Sequence, residues 1–216
     1  MLEILQIETF RLSDLSEMER SIGVSTLRER NRIRARNDVI ETALALFEQQ
    51  GYDATTVDQI ARAAGLSSAT VFRHFPSKED ILFSEEDDSA RAMAECVAAR
   101  QDPSVDVAAL AEPVVKYAAE LQDERTHRLT RLVMTTRSLE ARSLRMRLRW
   151  EREIARTLAA EEGDAAPTLR HTLIASIAIS CLSAAVRYWD RSDPSSKLTD
   201  LVTLAFEQRA SSDRAH

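Results

Sequence analysis

Residues 55–80 read TTVDQIARAAGLSSATVFRHFPSKED, and this stretch decides the fold. Thr56 precedes Val57-Asp58-Gln59, an arrangement in which the Thr hydroxyl and the Gln side chain satisfy one another's orphan backbone donors at a helix start. The helix so begun runs to about Ala64, and Gly65 stops it. Leu66 links, Ser67 or Ser68 caps a second short helix, and Pro76 forbids its continuation beyond Phe75. Two short helices three residues apart with Gly in the turn make a helix-turn-helix pattern, which presents its second helix to the DNA major groove. Ser77 then caps a further helix opening on Lys78-Glu79-Asp80, with acids where the helix macrodipole favours them.

Upstream, Val39, Ile40, Ala43, Leu44, Leu46 and Phe47 recur at helical spacing between Arg32 and Gln50, and Gly51 supplies the stop. Arg28, Arg30, Arg32, Arg34 and Arg36 crowd just before this face, whereas residues 1–26 are acidic and show no sustained period. The reading is a flexible N-terminal extension over 1–26, with a short helix around Leu12–Arg20, a DNA-binding domain over 27–83, and an effector-binding and dimerisation domain over 84–216. Downstream, prolines and Gly163 punctuate amphipathic segments at roughly 78–101, 105–122, 124–136, 138–162, 167–191 and 196–210. None reads as a strand, and four glycines and five prolines in 216 residues leave a helical vocabulary. The fold class is all-α: an N-terminal three-helix helix-turn-helix domain followed by a helical domain.

The residues Thr55 to Ala61, Ala64 to Ser67 and Thr70 to Asp80, in that order and spacing, strongly resemble the DNA-binding domain of TetR-family repressors. Ala69 stands where the family often has Gly, and Phe72 where it often has Tyr, which removes a hydroxyl able to donate to a phosphate. The resemblance implies a homodimer on a pseudo-palindromic operator, released by a small-molecule effector. Ser67, Ser68, Ala69 and Thr70, short side chains at the start of the recognition helix, are the candidate base readers. Thr56, His74 and Lys78 resemble the family's phosphate clamps, Arg73 reaches a base or a phosphate, and Arg36 closes an arm suited to the backbone or a minor groove. Each has a plainer reading: Thr56 and Ser67 cap helices in any case, and runs of charge are usually solvated.

In the second half, the acidic run Glu85–Asp88, the segment Leu139–Ala155 and Ala184–Trp189 look similar to the subgroup around the mycofactocin regulator, linked to acyl-CoA-like ligands. Arg142, Arg145 and Arg149 share a helix face that could hold an anionic effector, with Leu121, Leu173 and Ile177 as apolar lining. A solvated, salt-bridged face and plain core explain the same residues. The apolar excess on the last two helices, including Leu182, Val186, Trp189, Leu201 and Leu204, calls for a partner, and a second copy supplies it.

The net charge of −6 excludes whole-surface attraction to nucleic acid, so DNA binding must be local. His127 and His171 stand without carboxylate or cysteine partners at ligand spacing, and no glycine-rich phosphate loop or nucleophile motif occurs. The reading is therefore no enzyme, no cofactor and no metal. Cys96 and Cys181 sit in apolar helical stretches, as buried thiols of a cytoplasmic protein do, and no run is expected to reach membrane-spanning length.

Overall fold

The computed structural model describes residues 12–84, 86–189, 191 and 196–214; residues 1–11 of the expected extension lie outside them. Among the described residues the chain is helical, without strands. The elements are α1 (Leu12–Gln50), α2 (Val57–Ala63), α3 (Ser68–His74), α4 (Lys78–Leu82), α5 (Glu86–Ala98), a 3₁₀ turn (Ala108–Leu110), α6 (Ala111–Glu120), α7 (Glu124–Thr135), α8 (Arg137–Glu161), α9 (Leu169–Trp189) and α10 (Leu198–Arg214).

Two boundaries differ from the sequence reading. Helix α1 begins at Leu12 rather than Arg32, because Leu, Glu, Met and Arg, good helix formers, dominate residues 12–31 and outweigh the single Gly23. The segment expected as one helix over 78–101 is two. Helix α4 ends at Phe83, whose side chain folds into the core, and the exposed acids Asp87 and Asp88 stand in the first turn of α5 at its positive end.

There are two apolar cores. The first gathers Val39, Ile40, Ala43, Leu44 and Phe47 of α1, Ile60, Val71, Phe75 and Ile81 of the three short helices, and Leu132 and Leu139 from α7 and α8. The second joins α5, α6, α8, α9 and α10 around Met93, Leu110, Val114, Ile154, Leu158, Ile179 and Leu182. Met146 of α8 packs against both. Helix α9 also corrects the expectation about membrane spans: it is long and apolar enough to cross one. Its Ile174, Ala175, Ala178, Ile179, Leu182 and Ala185 are buried in the second core instead.

Candidate nucleic-acid interface and its coupling to the helical domain

The geometry of α2–α3 is set by its caps. Thr56 accepts from the Gln59 amide at 3.2 Å while the Gln59 side chain accepts from the Thr56 amide at 2.8 Å, the reciprocal box expected from sequence. At the other end Gly65, at φ +69, allows Leu66 N–H to reach Ala61 O at 2.9 Å and Gly65 N–H to reach Arg62 O at 3.2 Å. These two bonds form a Schellman turn, which only a left-handed residue closes without strain. Ser67 caps α3, accepting from the Thr70 amide at 3.1 Å.

With Val71 and Phe75 buried, the opposite side of α3 faces solvent. Ala69, Phe72 and Arg73 line that face at spacings of three and one, Ser67 stands exposed at its start and His74 at its end, and Ser68 and Thr70 flank it half-buried. Thr56 is exposed at the start of α2. Phe72, 47% exposed, is a large apolar group with no core role. A short helix showing small, hydroxyl-bearing and cationic side chains can enter a groove and meet base edges and phosphates.

Two candidates turn inward. Lys78 donates to Tyr52 O at 2.8 Å and Thr55 O at 3.3 Å and lies 4.1 Å from the centre of the Tyr52 ring, so its ammonium satisfies carbonyls of the α1–α2 turn. Arg36 donates to the Ser84 carbonyl and sits over the Phe75 ring, which ties α1 to the α4–α5 junction. Neither was foreseen, because the partners lie 26 and 48 residues away. Beside Lys78, the Tyr52 hydroxyl donates to Glu79 at 2.5 Å. Burial and that carboxylate push the phenol above its usual range; burial works the other way on Glu79, but the Tyr52 bond and its other donors hold the carboxyl below its usual value.

The arginine stripe of α8 is largely committed to carboxylates. Arg142 pairs with Asp80 at 3.3 Å and lies over the Phe83 ring, Arg149 pairs with Asp87, and Arg145 is exposed. With Trp150 donating to Ser89 Oγ at 3.0 Å, these contacts staple α8 across the α4–α5 junction. The stripe assigned to an effector thus holds the two halves together. Helix α7 is clamped to α1 in the same way: Arg128 reaches Glu48 with two bonds of 2.8 Å and Glu41 with one of 2.9 Å. Its hydrogen bonds hold the Glu48 carboxyl below the ordinary range, and the guanidinium is pushed up in turn. No sequence signal links Arg128 to acids 80 and 87 positions away.

Of the expected apolar lining, Leu121 and Ile177 pack beside the second core, whereas Leu173 is 56% exposed and faces out. Of the expected dimer contacts, Leu182 and Trp189 are corrected: they are 1% and 7% exposed within the subunit's own core, the Trp189 indole donating to Ser196 O at 3.0 Å. Val186 and Leu201 are half-buried, and Leu204 is exposed. The outward stripe of α9 is instead Leu169, Leu173, Ile177, Ser180, Ala184 and Tyr188, one helix face at steps of three and four.

His171 is less isolated than its sequence position implies. The α8–α9 turn brings Glu162 and Asp164 beside it, the three ligand atoms lying within 4.8 Å of one another. Its Nδ1 accepts from the Thr168 amide at 3.1 Å, which leaves Nε2 to donate to Glu162 at 2.6 Å. A ring so protonated has no lone pair for a cation, and Arg170 already pairs with Glu162 at 2.7 Å. The imidazole completes the N-terminal cap of α9, and with Arg170 it holds the Glu162 carboxyl below its usual range.

Residues 39–84 match the family model of bacterial regulatory proteins of the tetR family, and residues 104–212 match that of the MftR C-terminal domain. The HTH-type transcriptional regulator TcmR of Streptomyces glaucescens is 37% identical over 145 residues, which cover 63% of this chain and 64% of that relative. MftR of Mycobacterium tuberculosis, assigned to regulation of mycofactocin biosynthesis, is 26% identical over 181 residues, 82% of this chain and 90% of that protein. Among solved structures, the transcriptional regulator FadR from Bacillus subtilis in complex with stearoyl-CoA superposes with a TM-score of 0.57 at 21% identity, covering 79% of this chain and 95% of that one, a likeness of fold.

Proposed function

The chain belongs to the TetR family of transcriptional regulators, DNA-binding proteins rather than enzymes, and from that premise we propose that it is a ligand-responsive repressor acting in the cytoplasm. It binds a pseudo-palindromic operator as a homodimer and leaves it when a small molecule of the acyl-CoA class occupies the helical domain. The observation that carries the reading is the solvent-facing side of α3, Ala69, Phe72 and Arg73 behind Ser67. An exposed Phe on a short helix is poor design for a free surface and good design for contact with a sugar or a thymine methyl.

The dimer reading rests on the outward stripe of α9, where Leu169 and Tyr188 are 84% and 66% exposed, and on Leu204 of α10 at 47%. A two-fold pairing of α9 and α10 covers these residues and sets two recognition helices apart at one fixed spacing, the geometry a palindrome needs. The effector class rests on the MftR-type C-terminal domain and on the stearoyl-CoA complex of FadR.

Coupling follows from the staples. A ligand lodged among α6, α7, α8 and α9 that shifts α8 pulls Asp80 and Asp87 through Arg142 and Arg149, and so reorients α4 and the helices above it. Operator affinity and effector affinity must then fall by one common factor. Fluorescence anisotropy with DNA from the protein's own upstream region, against scrambled DNA and over a salt series, tests the reading. Selective binding whose log affinity falls linearly with log salt supports it. Absence of binding to either DNA would overturn it in favour of a module of the same fold that no longer reads DNA.

A further inference from the structure

Helices α7 and α8, which pack against each other, each carry a nitrogen sealed from solvent without a hydrogen-bond partner among the described residues: His127 Nε2 and Arg147 Nε. A buried donor left unsatisfied is costly, more so on a charged group. Arg36 Nε and Arg100 Nε share that state, but their guanidiniums are held through other nitrogens by Ser84 O and Glu161, which leaves His127 and Arg147 on adjoining helices to be explained. Arg147 differs from its neighbours on α8. Arg142, Arg149 and Arg156 each have a carboxylate, whereas no acid among the described residues pairs with Arg147. It follows Met146, which touches both cores, and lies one turn before Trp150, whose ring meets Tyr117 edge-on at 5.7 Å. His127 stacks on Trp189 with ring centres 4.5 Å apart. The His127 ring thus lies against an aromatic face, Arg147 stands on α8 between Met146 and Trp150, and neither ring nor guanidinium is engaged in stapling the two halves.

We propose that His127 and Arg147 are the polar anchors of the effector site, and that they take the oxygen of an amphipathic anion, a carboxylate or phosphate carrying an apolar chain. The inference rests on the effector reading above and deepens it: the exposed or paired arginines of α8 are not the recognition residues, and the unpaired, part-buried one is. An anionic oxygen accepts from Arg147 Nε–H and selects the His127 form protonated at Nε2, which donates to it as well, so that one ligand group satisfies both nitrogens. The apolar chain extends along Tyr117, Trp150 and Trp189. Binding near Met146 then perturbs the side chain on which both cores close.

The test uses the full-length protein and its variants Arg147→Met, which keeps the aliphatic stem, and His127→Phe, which keeps the stack on Trp189. Dodecanoate, dodecanoyl-CoA and free CoA are titrated against the fluorescence of Trp150 and Trp189, and operator affinity without probe is measured in parallel by anisotropy. Unchanged operator affinity certifies the fold of each variant. The proposal expects an acyl probe to quench the wild type and each variant to bind it at least roughly tenfold more weakly, the loss that follows removal of one hydrogen bond to a charged group. Weakening confined to dodecanoate identifies a free carboxylate, and weakening confined to dodecanoyl-CoA identifies the thioester or its phosphates. Equal binding by wild type and variants, binding of free CoA alone, or no acyl binding by protein that still holds its operator overturns the inference and leaves the DNA-reading conclusion intact. Failure of the wild type to bind operator strikes that conclusion instead.

Discussion

Replacing Arg128 by Met removes the main ionic clamp between α7 and α1 without touching either core, leaving the Leu132 packing and the Arg125–Glu41 pair in place, and the structure sets the size of the effect. The guanidinium makes three charge-assisted bonds, of 2.8, 2.8 and 2.9 Å, to Glu48 and Glu41. The side chains are 22%, 44% and 45% exposed, so solvent screens the pairs and each belongs near the range for surface ion pairs, roughly 0.2–1 kcal/mol. The fork on Glu48 has the favourable geometry and sits at the upper end, about 1 kcal/mol; Glu41 adds about 0.5 kcal/mol. A double-mutant cycle of Arg128→Met and Glu48→Gln by urea denaturation, at one protein concentration, isolates the first figure. The pH dependence has a fixed sign. Arg128 depresses the folded-state value of Glu48, so the stabilisation is complete above the unfolded value near 4.5 and disappears as pH falls through the folded one. Wild type and Arg128→Met should differ at pH 7, approach one another below pH 4.5, and converge in high salt. A coupling energy indistinguishable from zero at pH 7 and low salt, or one that survives at acid pH, would refute the clamp.

Leu173→Glu combined with Leu204→Glu should yield a folded monomer, seen as halved mass by light scattering with unchanged helical circular dichroism, since both side chains face solvent in the subunit. A dimer of undiminished stability would remove α9 and α10 from the interface. Arg73→Ala should lower operator affinity, and if the contact is to a phosphate the loss should be uniform across sequences, with the salt slope shallower by about one unit. A loss confined to one base pair of the site would make Arg73 a base reader instead.

The DNA-binding half was legible because its signals are local. A capping box, a Gly at a left-handed turn and a Pro after Phe75 each act within four residues, and the three helix ends fall where those rules put them. The break between α4 and α5 was not, since it depends on Phe83 finding a place in the first core, a tertiary event. The same holds for the arginines. Spacing placed Arg142, Arg145 and Arg149 on one side of a helix correctly, but spacing carries no information about what stands opposite, and Asp80 and Asp87 stand there. Composition misjudged α9 twice, once by passing over its membrane-like length and once by assigning Leu182 and Trp189 to an interface. A helix apolar on nearly all sides has two claims on it, and only packing shows which side the subunit keeps.

That division of α8 and α9 between inner and outer duties bears on how a signal passes. The DNA-binding core is not closed by its own three helices and α1 alone: Leu139, fully buried, enters it from the N-terminal end of α8, and Leu132 from α7. Ile154 and Leu158, farther along the same α8, fill the other core, with Met146 between. A rigid helix anchored in two close-packed cores cannot slide in one without repacking the other, and packed cores switch between arrangements rather than deform smoothly. Under the proposed mechanism the effector therefore has to do little more than move α8 by a fraction of a turn. A weaker second core would loosen that linkage before it unfolded the protein, so truncating Met146 to Ala should reduce the effector's influence on operator affinity by a larger factor than it reduces either affinity measured alone.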